Sequence, residues 1–257
     1  MSNGALALRQ MRYENRSFWR NPAAAFFTFV FPLMFLAIFN LLFGNEEIDI
    51  PGGTVSTSTF YVPAIASLSV ISACYTNIAI GTAFAREQGV LKRIRGTPLP
   101  PWAYLVGRVG NAMAVAILLV VIISAAGVLF YDVDLPTNTA PAFLVTVLVG
   151  ALAFSALGLA ISGVIPNADA APPVTNATIL PLLFISDVFL PIDEAPGWLV
   201  AVGNFFPIRH FSEALQTAYN PFEEGAGFEW DRLAIIAAWG IAGLLLAARY
   251  FKWESRK

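Results

Sequence analysis

Segment 85–108 reads AREQGVLKRIRGTPLPPWAYLVGR. In it Arg86, Lys92, Arg93 and Arg95 alternate with Val90, Leu91 and Ile94. That pattern predicts a short two-faced helix over 87–94, broken by Gly96, Thr97-Pro98 and Pro100-Pro101. A solvated loop has no need of the apolar half, whereas a short amphipathic helix suits docking into a groove on a partner protein. A charged loop that merely fixes topology is the competing reading. Near the N-terminus, Arg9, Arg12, Arg16 and Arg20 fall at i, i+3, i+7 and i+11. On a helix they occupy about an 80° arc, with Ala7, Met11 and Phe18 pointing away. Residues 4–21 therefore read as a helix at the membrane interface, its apolar face in lipid and its arginines toward headgroups. An ordinary basic flank is the alternative there.

Several chemistries are excluded by what is missing. A P-loop needs G-x-x-x-x-G-K-[ST]; the lysines are Lys92, Lys252 and Lys257, and none follows that glycine pattern. The chain is thus not expected to be its own ATPase. A single cysteine, Cys74, and a single histidine, His210, allow no intramolecular disulfide or cysteine zinc cluster and leave little metal or acid–base chemistry. No cofactor is expected in this chain.

Composition sets the frame for these elements. The 257 residues are 57% hydrophobic and 12% charged, with a net charge of −2. A soluble domain carries about twice that share of charge, so the chain reads as a membrane protein. Low net charge with high hydrophobicity also argues against disorder and against nucleic-acid binding. A helix needs about 20 apolar residues to cross the bilayer. Six stretches are read as spans: 23–43, 61–84, 103–130, 141–165, 174–190 and 233–251, the fifth interrupted by Pro181. The first exceeds a signal-peptide h-region and is followed by Glu46, Glu47 and Asp49 instead of a cleavage site, so it reads as retained.

Thirteen of the fifteen basic residues fall before span one, between spans two and three, or after span six; only Arg209 and Arg232 lie opposite. Thirteen of the seventeen acids do the reverse. Positive-inside bias places both termini and the 85–108 loop in the cytoplasm. Between spans five and six, residues 187–232 are too long for a turn and stay half apolar, with two short helices expected over 197–204 and 205–219. Trp198, Phe205 and Phe206 point to a segment that re-enters the outer interface, with a small folded exterior cap as the alternative.

Polar side chains collect in two spans. Span two carries Ser67, Ser69, Ser72, Thr76 and Asn77, and span five carries Thr175, Asn176, Thr178 and Ser186. Such residues either hold helices together or line a path for an amphiphilic solute. No ionisable residue lies near the middle of a span; Asp187, toward the outer end of span five, reads as a helix-end residue near the exterior surface. An ion-coupled carrier, or a small membrane enzyme built on Asp187, Arg209, His210 and Glu213, are the alternative functions.

REQGVLKRIRGTPLP, with the spacing E-x-x-x-L-x-x-x-x-x-T-P-L, resembles an element of type-2 ABC exporter permeases, which handle drugs, lipids and polysaccharides. PLLFISDVFLPIDEAPGWLVAVGNFFPIRHFSEALQ resembles the family's polar-ended fifth helix with two short exterior helices before the last span. The resemblance covers nearly the whole chain. It implies an all-α polytopic membrane protein of six transmembrane helices, an N-terminal interfacial helix, a cytoplasmic coupling helix within 86–98 and re-entrant exterior helices within 197–219. It further implies that Arg86, Glu87, Gly89, Leu91, Arg93, Thr97, Pro98 and Leu99 form the coupling element, seated on a separate nucleotide-binding ATPase subunit that holds ATP and Mg. Arg9, Arg12, Arg16 and Arg20 would belong to a connecting helix on the same subunit. Ser69, Ser72, Thr76, Asn77, Asn176, Thr178, Phe184 and Asp187 become candidate path residues in a dimer with a second permease copy. Family members often carry a hydrophobic or small residue where Asp187 stands. The implied function is ATP-driven export of a hydrophobic or amphiphilic substrate across the plasma membrane, within its lipids.

Overall fold

A computed structural model of the chain describes residues 3–44, 46–50, 52–189 and 195–254. Leu190, at the end of the expected fifth span, and Arg256 and Lys257 lie outside the described residues. Helix α1 (Asn3–Trp19) is followed by α2 (Pro22–Phe43), which starts at a proline behind the Asn21 cap, whose side chain accepts from the Ala24 amide. A small antiparallel hairpin, β1 (Glu47–Ile50) and β2 (Gly53–Ser56), follows with Ile48 opposite Val55. Sequence patterning indicated only an acidic loop there, since strands of four residues leave almost no period to read.

Span two is one continuous rod, Thr57–Glu87, of 31 residues. It consists of α3 (Thr57–Ile71), a π-helical turn (Ser72–Thr76) and α4 (Asn77–Glu87). Nearly every residue of α3 is buried, so this rod is the axis around which the other helices pack. The stub α5 (Val90–Arg95) hangs below it, and α6 (Pro101–Tyr131) returns as a single 31-residue helix that absorbs the expected lead-in to span three. Next come α7 (Ala140–Ser162), α8 (Ala171–Phe184), the short α9 (Gly197–Phe205) and α10 (Pro207–Tyr219), and finally α11 (Trp230–Tyr250).

Among the described residues five helices are long and apolar enough to cross a membrane: α2, the span-two rod, α6, α7 and α11. The fifth expected span differs. Its helix α8 has 14 residues, about 21 Å of rise, and ends where Ile185 leaves the helical region and Asp187 turns to φ 52°. It starts three residues earlier than expected, on Pro172 and Pro173, and stops well short of residue 190.

Small residues bring the rods together. A Cβ on Gly240 would sit 3.0 Å from Ala153, and one on Gly243 would sit 2.9 Å from the Leu157 backbone nitrogen, so α7 and α11 meet backbone to backbone. In the same way Gly158 of α7 lies against the Tyr75 and Cys74 carbonyls of the π turn. Aromatic rings fill the wider gaps, with Phe39 of α2 stacked on Tyr61 of α3 at 4.7 Å.

Candidate functional site

The stub that follows span two is built by a chain reversal. Helix α4 runs through Glu87, so that residue belongs to span two and not to the stub. Gly89 then takes φ 69° with open space around it, a backbone state that glycine adopts without penalty, and α5 begins. Leu91 is fully buried and anchors the stub, while Lys92, Arg93 and Arg95 are exposed. Among the described residues none of these three is ion-paired to an acid. The Thr97 hydroxyl donates to the Ile94 carbonyl at 2.6 Å and accepts from the Leu99 amide at 3.3 Å, closing the stub ahead of Pro98.

Arg86 is elsewhere. It is buried, at the foot of span two, where its guanidinium donates to the Ser162 carbonyl at 2.8 Å and to the Ile165 carbonyl. The neighbouring Glu87 carboxylate accepts from the Ala168 amide. The resemblance implied both residues in the coupling element; in the structure they turn inward onto the loop between α7 and α8.

On α1, Arg9, Arg12, Arg16 and Arg20 are exposed along one side, as their spacing requires. The opposite face packs on α6. Gln10 and Met11 lie over Gly107 and Gly110 of α6, and Glu14 pairs with Arg108 at 3.6 Å. Small residues on α6 permit this approach, a feature that periodicity within α1 cannot reveal. Trp19 stacks on Phe29 of α2 at 5.6 Å, which ties the end of α1 to span one.

The expected path residues fall into separate places. Ser69, Ser72, Thr76 and Asn77 line a cavity of about 890 Å³ with Phe27 and Phe31 of α2 and with Arg108 and Asn111 of α6. Within it Arg108 Nε and Asn111 Oδ1 are buried without a hydrogen-bond partner. Thr178 instead lines a more apolar cleft of about 550 Å³ among α7, α8, α11 and the α9–α10 corner. Asn176 and Phe184 line neither cavity; Phe184 packs on Phe189 at 5.1 Å.

Asp187 lies just past the end of α8 and is buried. Its carboxylate accepts from Arg209 Nε at 2.7 Å, and its carbonyl accepts from the Gln216 side chain at 2.8 Å and from Ser212 at 3.2 Å. Arg209 also meets Glu213 at 2.9 Å and donates to Asn204 at 3.0 Å. Glu213 passes the network to Arg232 on α11, which lies 3.5 Å from Glu229. His210 is held by the Asn204 carbonyl at 2.8 Å, and burial pushes its pKa down, with Arg232 and Arg209 adding to the effect. Arg232 was not singled out by sequence, although a basic residue on the acid-rich side was the available signal. Among the described residues no three His, Cys, Asp or Glu side chains converge on a metal-sized site.

Comparison with known proteins adds the family. Residues 7–219 match the ABC-2 type transporter family. Relatives include the Probable multidrug ABC transporter permease YbhR of Escherichia coli K12, 26% identical over 160 residues, 62% of this chain and 43% of that protein. The chain thus spans less than half the length of YbhR. The Daunorubicin resistance ABC transporter permease protein DrrB1 of Streptomyces coeruleorubidus is 27% identical over 206 residues, 78% of this chain and 68% of that one. The Inner membrane transport permease YadH of Escherichia coli K12 is 25% identical over 176 residues, 68% of this chain and 67% of that one. With the match covering most of its length, this multi-pass membrane protein belongs to the ABC-2 type transporter family.

Proposed function

We propose that this chain is the permease of an ATP-driven exporter in the plasma membrane, with both termini in the cytoplasm. It works as a dimer with a second permease copy, and separate nucleotide-binding subunits hold ATP and Mg and hydrolyse the nucleotide. The observation that supports this best is the stub Val90–Arg95, anchored by buried Leu91 and presenting Lys92, Arg93, Arg95 and Thr97-Pro98 outward. A permease without a motor must receive work through such a contact. The exposed arginines of α1 sit on the same side and provide a second seat for the ATPase subunit and for anionic lipid.

The substrate is hydrophobic or amphiphilic. The 890 Å³ cavity offers hydroxyl and amide groups on span two among phenylalanines, which suits a drug-like or lipid-like solute. The names of YbhR and DrrB1 refer to multidrug transport and daunorubicin resistance, which favours drugs over glycans. ATP binding draws the two motor subunits together, and the docked stubs bias the spans between inward-open and outward-open arrangements.

Affinity purification in mild detergent, followed by reconstitution into vesicles, tests the reading. A stoichiometric ATPase companion and ATP-dependent drug efflux are expected. Uphill transport by the isolated chain under a proton gradient, without ATP, would replace it with an ion-coupled carrier.

A further inference from the structure

Motion received at the stub must reach span five, and the contacts below span two show where the two are joined. Helices α4 and α8 meet through Ala79, Ala83, Ile165 and Ala171, a small buried cluster of mostly methyl-sized side chains. Flat alanine surfaces interlock little, so packing by itself holds their register weakly. Polar bonds supply what packing lacks. The Arg86 guanidinium bridges the carbonyls of Ser162 and Ile165 at the C-terminal end of α7, where a cation is favoured by the helix dipole. One residue on, the Glu87 carboxylate holds the Ala168 amide, and the Ala168 carbonyl accepts from the Ala171 amide at 3.0 Å, the first residue of α8. The stub side is equally continuous. Gly89 N–H donates to the Arg86 carbonyl at 3.1 Å, and Arg93 N–H donates to the Gly89 carbonyl at 3.0 Å.

We infer that Arg86 and Glu87 are positioning residues that join the stub to the 163–170 loop, so that span five moves with the stub of its own protomer. Their task is transmission inside this chain, not contact with the ATPase. The inference rests on the permease reading above, and its test separates the two.

Glu87→Gln keeps an oxygen that accepts from Ala168, whereas Glu87→Ala keeps none. In the reconstituted complex, Glu87→Gln retains most ATP-driven efflux. Glu87→Ala keeps its ATPase companion and its ATP hydrolysis but loses about tenfold in efflux, the weight of one charge-assisted hydrogen bond. A Glu87→Ala chain that sheds the companion, or a Glu87→Gln chain as inactive as the alanine variant, would make Glu87 a docking residue and overturn the inference. A second measurement needs no companion. With Cys74→Ala as background, spin labels at Lys92→Cys and Asp169→Cys report the stub-to-loop distance in the isolated chain. One narrow distribution is expected with Glu87 present and a broad one after Glu87→Ala; equal widths would overturn the inference even if the permease reading stands.

Discussion

The hydroxyl of Tyr75, in the π-helical turn of span two, lies 2.7 Å from the hydroxyl of Thr178 on α8. It joins two rods that also meet at Ala79 and Ala83, nearer the stub. The extra residue of a π turn rotates the side chains beyond it, and such turns recur at functional positions. Removing either hydroxyl should cost about 1 kcal/mol, and removing both little more than one, because a single bond is shared. Thermal unfolding of Tyr75→Phe, Thr178→Val and the double variant in detergent measures this. Additive losses would mean that the two groups act independently.

Hydropathy located the long rods because an uninterrupted apolar run in lipid has one solution, a helix. It misplaced the end of span five, where Asp187 adopts a left-handed backbone and pairs with a residue 22 positions away. Long-range pairing leaves no local period. Arg86 and Glu87 illustrate the same limit: their spacing matched a cytoplasmic loop, and only the fold brings Ser162, Ile165 and Ala168 to them. Likewise, the period of the arginines describes one exposed side of α1, but Gly107 and Gly110, nearly a hundred residues on, decide what covers the other face.

Glycines at the α7–α11 contact should tolerate no side chain. A Cβ on Gly243 meets backbone, which cannot turn aside as a flexible side chain would. Gly243→Val is expected to destabilise by about 1–3 kcal/mol through overpacking. Gly197→Ala, where nothing lies within 4 Å, should leave stability nearly unchanged. The measurement is the melting midpoint of each purified variant by scanning fluorimetry; equal midpoints would contradict the close packing.

The Asp187–Arg209 pair is buried on both sides, with side-chain exposures of 7% and 6%. Deleting one partner of such a pair costs about 3–5 kcal/mol, because the other charge loses a neutralising neighbour. Asp187→Ala should therefore lower the yield of folded protein sharply. Asp187→Asn should lose less, since asparagine tolerates the positive φ and still offers an oxygen to Arg209. If both variants melt with the parent, the pair adds nothing to stability.

His210 supplies a pH dependence with a definite sign. Burial, reinforced by Arg232 and Arg209, holds its folded-state pKa below the ordinary value of 6.5. The native state therefore binds fewer protons than the unfolded chain in the interval between the two values, so stability rises with pH there. The contribution is complete above pH 6.5 and is lost as pH falls through the depressed folded value. Melting midpoints measured from pH 7.5 down to pH 5 should fall for the parent and fall less steeply for His210→Gln, whose amide can still reach the Asn204 carbonyl. Because carboxylates titrate in both proteins at the acid end, the difference between the two curves isolates the histidine, and parallel curves would mean that His210 keeps its charge equally well folded and unfolded.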